Sequence, residues 1–135
     1  MSAALEASIE SLRAAEKEQA MFYRRLAALA EARADEAMAQ RLHDLHADEK
    51  HHLSRLTARL VELGRSPVDL SATASAPGDL DGWEDRARER EQGEVARYEA
   101  FLAGEIDDAT RHLAEAILEV ERLHRDLLGG KWTMA

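Results

Sequence analysis

Four stretches of the chain share one anomaly: an apolar ladder of helical spacing, broken at its centre by acid or by acid and imidazole. The ladders read Ile9, Leu12, Glu16, Gln19, Tyr23, Leu26; then Leu42, Leu45, Glu49, His52, Leu56; then Ala87, Glu91, Glu94, Tyr98, Phe101; and last Ala114, Ile117, Glu121, His124, Leu128. Steps of three and four place each set on one helix face, the face that packs inward. Glu18 falls off its ladder, whereas Glu16 stands on it. Carboxylates are almost never buried unless they are paired or bind a metal. Five of them in a core cost several kcal/mol per ion when uncompensated, and no Lys or Arg occupies these ladder positions. The available partners are His52 and His124, each three residues after a glutamate. At that spacing carboxylate and imidazole share a helix face and can bind one ion, so divalent cations are the natural compensation.

With six histidines in the chain, a single E-x-x-H is a weak signal. Here both, Glu49–His52 and Glu121–His124, fall at the centre of a ladder, and the two remaining ladders supply Glu16 and Glu91. An internal repeat reinforces the pattern: Glu16 precedes Tyr23 by seven residues and Glu91 precedes Tyr98 by seven. Glu16 to Glu49 spans 33 residues and Glu91 to Glu121 spans 30, so the halves match with one short indel.

The elements that must position these groups are four helices, expected over about 3–33, 35–63, 81–103 and 108–128. Asp107 or Asp108 is the expected N-cap of the fourth, and Gly64 followed by Pro67 ends the second. Inward positions include Leu5 and Ala30 on the first helix, Met38, Leu60 and Leu63 on the second and Trp83 on the third, while Leu113, Val120 and Leu127 flank the inward side of the fourth. Gly129 and Gly130 end the last helix, and KWTMA reads as a frayed tail in which Trp132 has no evident role. Residues 65–80, RSPVDLSATASAPGDL, break the helical pattern with Pro, Gly, Ser and Thr. Sixteen extended residues reach about 50 Å, against about 40 Å for a helix of 25–30 residues. The connector is therefore long enough to cross a whole bundle and set the second and third helices parallel. The expected fold is all-α: a ferritin-like four-helix bundle with one long crossover, residues 1–135 forming a single domain.

Composition narrows the function classes. The net charge is −9, aromatics are 4 % and no basic stripe interleaves with aromatic residues, which argues against nucleic acid and against anionic membranes. No apolar run approaches the ~20 residues that span a bilayer, and the opening MSAALEASIE has neither the basic nor the apolar region of a signal peptide. The absence of cysteine rules out disulfides, thiolate metal sites and iron–sulfur clusters, and fits a reducing cytoplasm.

On these residues the chain resembles the rubrerythrin branch of the ferritin-like di-iron superfamily, over nearly its whole length. EKEQAMFYRRLA resembles that family's first-helix motif, ADEKHHLSRL the second and LEVERLHRDLL the fourth. The third helix discriminates most, because rubrerythrins carry two glutamates there spaced by three, as Glu91 and Glu94 are. The first helix has Gln19 at the corresponding position. The resemblance implies two iron ions per chain, with manganese or a mixed pair also compatible with the ligands. It implies that Glu49 and Glu121 bridge them, that Glu16 and His52 serve one ion and that Glu91 and His124 serve the other. It further implies that Glu94 and His52 exchange as ligands with oxidation state, and that Tyr23 and Tyr98 hydrogen-bond near the centre. Asp48, beside Glu49, is placed to orient a ligand histidine. His51, His43, His46 and His112 read as surface residues, although His46 lies one turn from Glu49.

The implied activity is a non-haem di-iron oxidoreductase reducing hydrogen peroxide. Rubrerythrins usually carry a four-cysteine rubredoxin-like domain. This chain has no cysteine, so electrons must come from an external donor such as a rubredoxin-type protein. The resemblance also implies a homodimer. Two other readings stand beside it: a ferroxidase or iron-handling protein reacting with dioxygen, and a non-catalytic, metal-stabilised helical scaffold.

Overall fold

The computed structural model describes residues 3–74 and 78–128. The described residues contain four α-helices and no strand: α1 (Ala3–Ala32), α2 (Glu36–Glu62), α3 (Trp83–Leu102) and α4 (Asp108–Leu127). By their contacts they form two compact units, Met1–Asp81 and Gly82–Ala135.

In the first unit α1 and α2 form an antiparallel hairpin. Its register is pinned at one end by Arg13 Nε donating to Thr57 Oγ1 at 2.9 Å. At the other end His43 Nε2 lies 3.5 Å from Glu31 Oε2. The turn between them needs a left-handed residue, which Ala34 supplies at φ 58°. Asp35 then caps α2, its carboxylate accepting from the Met38 N–H at 3.1 Å. The apolar ladders close the hairpin: Ile9, Leu26, Ala30, Leu42, Leu56 and Leu60 are all buried, each large one contributing about 2 kcal/mol of transfer energy. Met38 and Leu63, expected inward, are half-exposed; they sit at the two ends of α2, where the neighbouring helix runs out.

The end of α2 is a Schellman motif. Gly64 takes φ 83°, its N–H donating to Val61 O at 2.9 Å and that of Arg65 to Leu60 O at 2.9 Å. The connector then runs back along α1. Arg65 pairs with Glu6. The Val68 N–H donates to Glu10 Oε2 at 2.8 Å, and Val68 O accepts from Arg13 at 3.2 Å. Further on, Arg25 Nε donates to Gly78 O at 3.0 Å. From the level of Glu6 to that of Arg25 is about 28 Å of helix axis.

The second unit is the shorter hairpin α3–α4. Helix α3 begins at Trp83, two residues later than expected, because Gly82 holds a left-handed N-cap conformation at φ 67°. Of the two candidate caps of α4, Asp107 fills the role: it accepts from the Thr110 N–H at 3.0 Å and from Thr110 Oγ1 at 2.7 Å. Arg111 closes the intervening loop, donating to Leu102 O at 3.1 Å and Gly104 O at 3.3 Å. Trp83, Ala87, Tyr98, Ala114, Ile117 and Leu128 are buried, while Phe101 is only partly so. Residues 129–135, with the expected helix end at Gly129–Gly130 and with Trp132, lie outside the described residues.

Candidate metal centre

Each hairpin carries one cluster of two glutamates and one histidine. In α1–α2 these are Glu16, Glu49 and His52, whose ligand atoms all lie within 4.8 Å of one another. His52 Nδ1 stands 3.5 Å from Glu16 Oε1 and 3.6 Å from Glu49 Oε1. In α3–α4 they are Glu91, Glu121 and His124, again mutually within 4.8 Å. His124 Nδ1 stands 3.5 Å from Glu91 Oε2 and 3.3 Å from Glu121 Oε1. The four carboxylates have no exposed surface at all, and the two histidines are 3 % and 4 % exposed. The local cause is the same in both hairpins. Glutamate and histidine three residues apart stack on one helix face, and the antiparallel partner contributes a second glutamate at the same height.

The donor set fits a divalent transition metal. Carboxylate oxygen and imidazole nitrogen suit Fe²⁺, Mn²⁺ and Zn²⁺, with no thiolate to select otherwise. Ligand atoms about 2.1 Å from a common ion lie about 3–3.5 Å apart at angles between a right angle and tetrahedral. The Nδ1–carboxylate separations of 3.3–3.6 Å are close to that spacing. These buried Glu/His clusters are therefore able to hold a metal ion. Without one, two anions and an imidazole share a space from which water is excluded, an arrangement that low dielectric penalises.

The remaining expected residues are distributed as follows. Glu94 is buried on α3 at 5 % exposure, but its carboxylate is not among the atoms gathered within 4.8 Å. It lies 3.8 Å from Arg97 Nε, one turn further along the helix. Gln19, its counterpart on α1, is buried too. Tyr23 and Tyr98 are wholly buried, and the Tyr23 ring packs at 59° on Phe22 with centroids 5.4 Å apart. Asp48, His51, His43 and His112 are exposed, and His46 is half-buried.

Sequence reasoning did not single out Glu6 and Arg13, which are nonetheless buried. Both sit off the apolar ladder of α1 and are covered through their pairing with Arg65, Glu10, Thr57 and Val68. Their spacing alone carries no signal of that. They are structural: they fasten the connector rather than extend the cluster. Among the described residues no helix is long and apolar enough to cross a membrane. No protein-family model, curated protein or solved structure matches the chain.

Proposed function

We propose that the two Glu/Glu/His clusters bind two iron ions as one di-iron centre, and that the protein reduces hydrogen peroxide with electrons from an external donor. The observation that carries this reading is the duplicated cluster: three buried ligands of matching type, with His Nδ1 3.3–3.6 Å from both carboxylates, in each half of the repeat. In this reading the hairpins assemble as a ferritin-like bundle, and the connector strapped along α1 supports the crossover that topology needs. A ferrous pair bound there would supply the two electrons that, with two protons, reduce hydrogen peroxide to two waters, and the external donor would return them one at a time.

The chain's own contributions follow from its side chains. Glu16, Glu49 and His52 would hold one ion and Glu91, Glu121 and His124 the other. Leu42 and Leu56 in the first hairpin, and Ile117 and Leu128 in the second, are buried on the same ladders as the ligands and would help exclude bulk water from each cluster. Tyr23 and Tyr98 each bury a phenol seven residues after a candidate ligand. Glu94, buried one turn from Glu91 and beside Arg97, would be a further carboxylate available to the ions.

A second reading, ferroxidase chemistry with dioxygen, is favoured by one observation: Glu94 stands beside Arg97 rather than within the ligand cluster, which leaves a six-residue site. Anaerobic loading with ferrous ion followed by stopped-flow mixing separates the two. Much faster oxidation by peroxide than by air supports the peroxidase. Comparable or faster oxidation by air, with continued iron uptake, supports the ferroxidase. A folded chain that binds neither iron, manganese nor zinc leaves only the scaffold.

A further inference from the structure

The exposed flank shared by α1 and α2 is cationic in a chain whose net charge is −9. On α1, Lys17, Met21 and Arg24 follow one another at steps of four and three, and on α2 so do His43, His46 and Lys50. The Arg13–Thr57 hydrogen bond and the His43–Glu31 contact lie on these same two stripes and bring them side by side. Arg24, His43 and Lys50 are exposed, and Lys17, Met21 and His46 are half-buried. On the two helices acids appear towards the ends of the stripes, as Glu10, Glu31 and Glu36, while Asp44 and Asp48 occupy the opposite flank of α2. The connector fastened to Glu10, Arg13 and Arg25 adds Asp69 and Asp79 at the border of the α1 stripe.

Elsewhere six arginines stand beside a carboxylate: Arg13 by Glu10, Arg59 by Glu62, Arg65 by Glu6, Arg97 by Glu94, Arg122 by Glu99 and Arg125 by Asp126. The exposed Arg33, Arg55 and Arg88, which lack one, are scattered over the end of α1, α2 and α3 rather than grouped. Among the described residues, Lys17, Arg24 and Lys50 have no carboxylate within 4.0 Å. His46 registers the concentration of positive charge. Burial first, then Lys50, Arg24, His43 and Lys17, hold its imidazole below the ordinary value. A surface of this kind costs self-repulsion unless a complementary charge covers it, and it steers anionic partners to itself.

Its position relative to the cluster gives it a use. Lys17 follows Glu16 and Lys50 follows Glu49, so each cation is one residue, and 3.8 Å between Cα atoms, from a candidate ligand. A protein seated here is about one helix diameter, ~10 Å, from Glu16, Glu49 and His52. We propose that the cationic α1–α2 flank is the docking surface for an acidic one-electron donor protein, with Lys17, Arg24 and Lys50 meeting its carboxylates and Met21 supplying apolar contact at the centre. Each docking event transfers one electron inward and leaves the donor oxidised by one electron; two such events match one peroxide. Naming the partner as a donor rests on the peroxidase reading, whereas the binding itself does not.

The test is titration calorimetry of the full chain against a purified oxidised rubredoxin, a small acidic one-iron protein. It compares the wild type, a Lys17→Glu/Arg24→Glu/Lys50→Glu variant, and an Arg33→Glu/Arg55→Glu/Arg88→Glu variant with the same net charge. Circular dichroism confirms that all three are folded. The expected result is measurable binding at low salt, weakened about tenfold or more by the first variant and by added salt, and little changed by the second. No binding at low salt, equal loss in both variants, or a second copy of the chain occupying the flank on light scattering overturns the proposal. Peroxide oxidation of the iron-loaded first variant, reduced chemically, reports separately on the peroxidase reading and is expected to match wild type.

Discussion

The α1–α2 and α3–α4 hairpins agree closely at their centres and differ nearly everywhere else. Both hold two fully buried glutamates and a histidine whose Nδ1 lies 3.3–3.6 Å from the carboxylates. Around that shared centre, α1 and α2 run 30 and 27 residues against 20 and 20 for α3 and α4. The first hairpin has neutral Gln19 where the second has Glu94 with Arg97 beside it. It also has unneutralised Lys17, Arg24 and Lys50 on its flank, whereas Arg122 and Arg125 of the second pair with Glu99 and Asp126. Fold stability alone gives no reason to keep buried acids in both halves, since replacing buried ions by apolar side chains is often neutral or stabilising. The repeated part is thus the part that packing alone does not explain, and it is the part able to hold a metal ion.

The largest effect is expected from breaking the clusters. Glu49→Ala and Glu121→Ala each abolish tight metal binding and with it the metal-dependent stabilisation. For a ligand at about a thousandfold over its Kd, that stabilisation is about 4 kcal/mol. Without metal the same variants are as stable as wild type or more so, because a buried anion has gone. Thermal unfolding with and without ferrous ion reads both arms; equal stabilisation of variant and wild type by metal contradicts the clusters as the binding site.

Next is the difference at the 19/94 position. Glu94→Gln makes the second hairpin like the first and is expected to cut peroxide reactivity by about tenfold or more, with metal stoichiometry unchanged. Gln19→Glu makes the first like the second and is expected to destabilise the metal-free chain by about 1–3 kcal/mol, since it buries one more carboxylate. Stopped-flow oxidation and denaturant unfolding check the pair.

Smaller effects test the frames. Arg13→Ala removes the link from α1 to Thr57 and to Val68 O, and leaves the Glu10 carboxylate facing only the Val68 N–H. It should cost about 2 kcal/mol in urea unfolding. Asp107→Ala loses two bonds to Thr110 and should cost about 1 kcal/mol. Smallest is the pH response of the cationic flank. His46 is held below its ordinary value of 6.5, so below about pH 6.5 the unfolded chain takes up a proton that the folded chain resists. Stability therefore falls as pH drops through that value, and His46→Gln is expected to flatten this part of the curve.

Much of the molecule was legible in the residue pattern because helical spacing is itself the physical signal. Glu16, Glu49, His52, Glu91, Glu121 and His124 were identifiable as core residues because apolar residues flank each lone acid or Glu-x-x-His pair four steps away on both sides: Leu12 and Ala20, Leu45 and Leu56, Ala87 and Val95, Ile117 and Leu128. All six are buried. What spacing misses is contact made by residues off the ladder. Glu6 and Arg13 read as surface charge until the connector folds back and supplies Arg65 and Val68. Met38, Leu63 and Phe101 continue their ladders, yet sit where helices end and neighbours thin out, so they stay partly exposed. Glu94 continues its ladder and is buried, and the Arg97 guanidinium 3.8 Å from its carboxylate is a neighbour that ladder spacing does not announce.

The central claim is that each hairpin holds one metal ion in a preformed Glu/Glu/His cluster. Its most direct test is an anaerobic equilibrium titration of the full chain with ferrous ion, metal content being measured after desalting. The account predicts saturation at two ions per chain, falling in both Glu16→Ala and Glu91→Ala, with the helical circular dichroism signal retained throughout. A folded protein that retains no stoichiometric iron, or retains it undiminished in both variants, contradicts the claim.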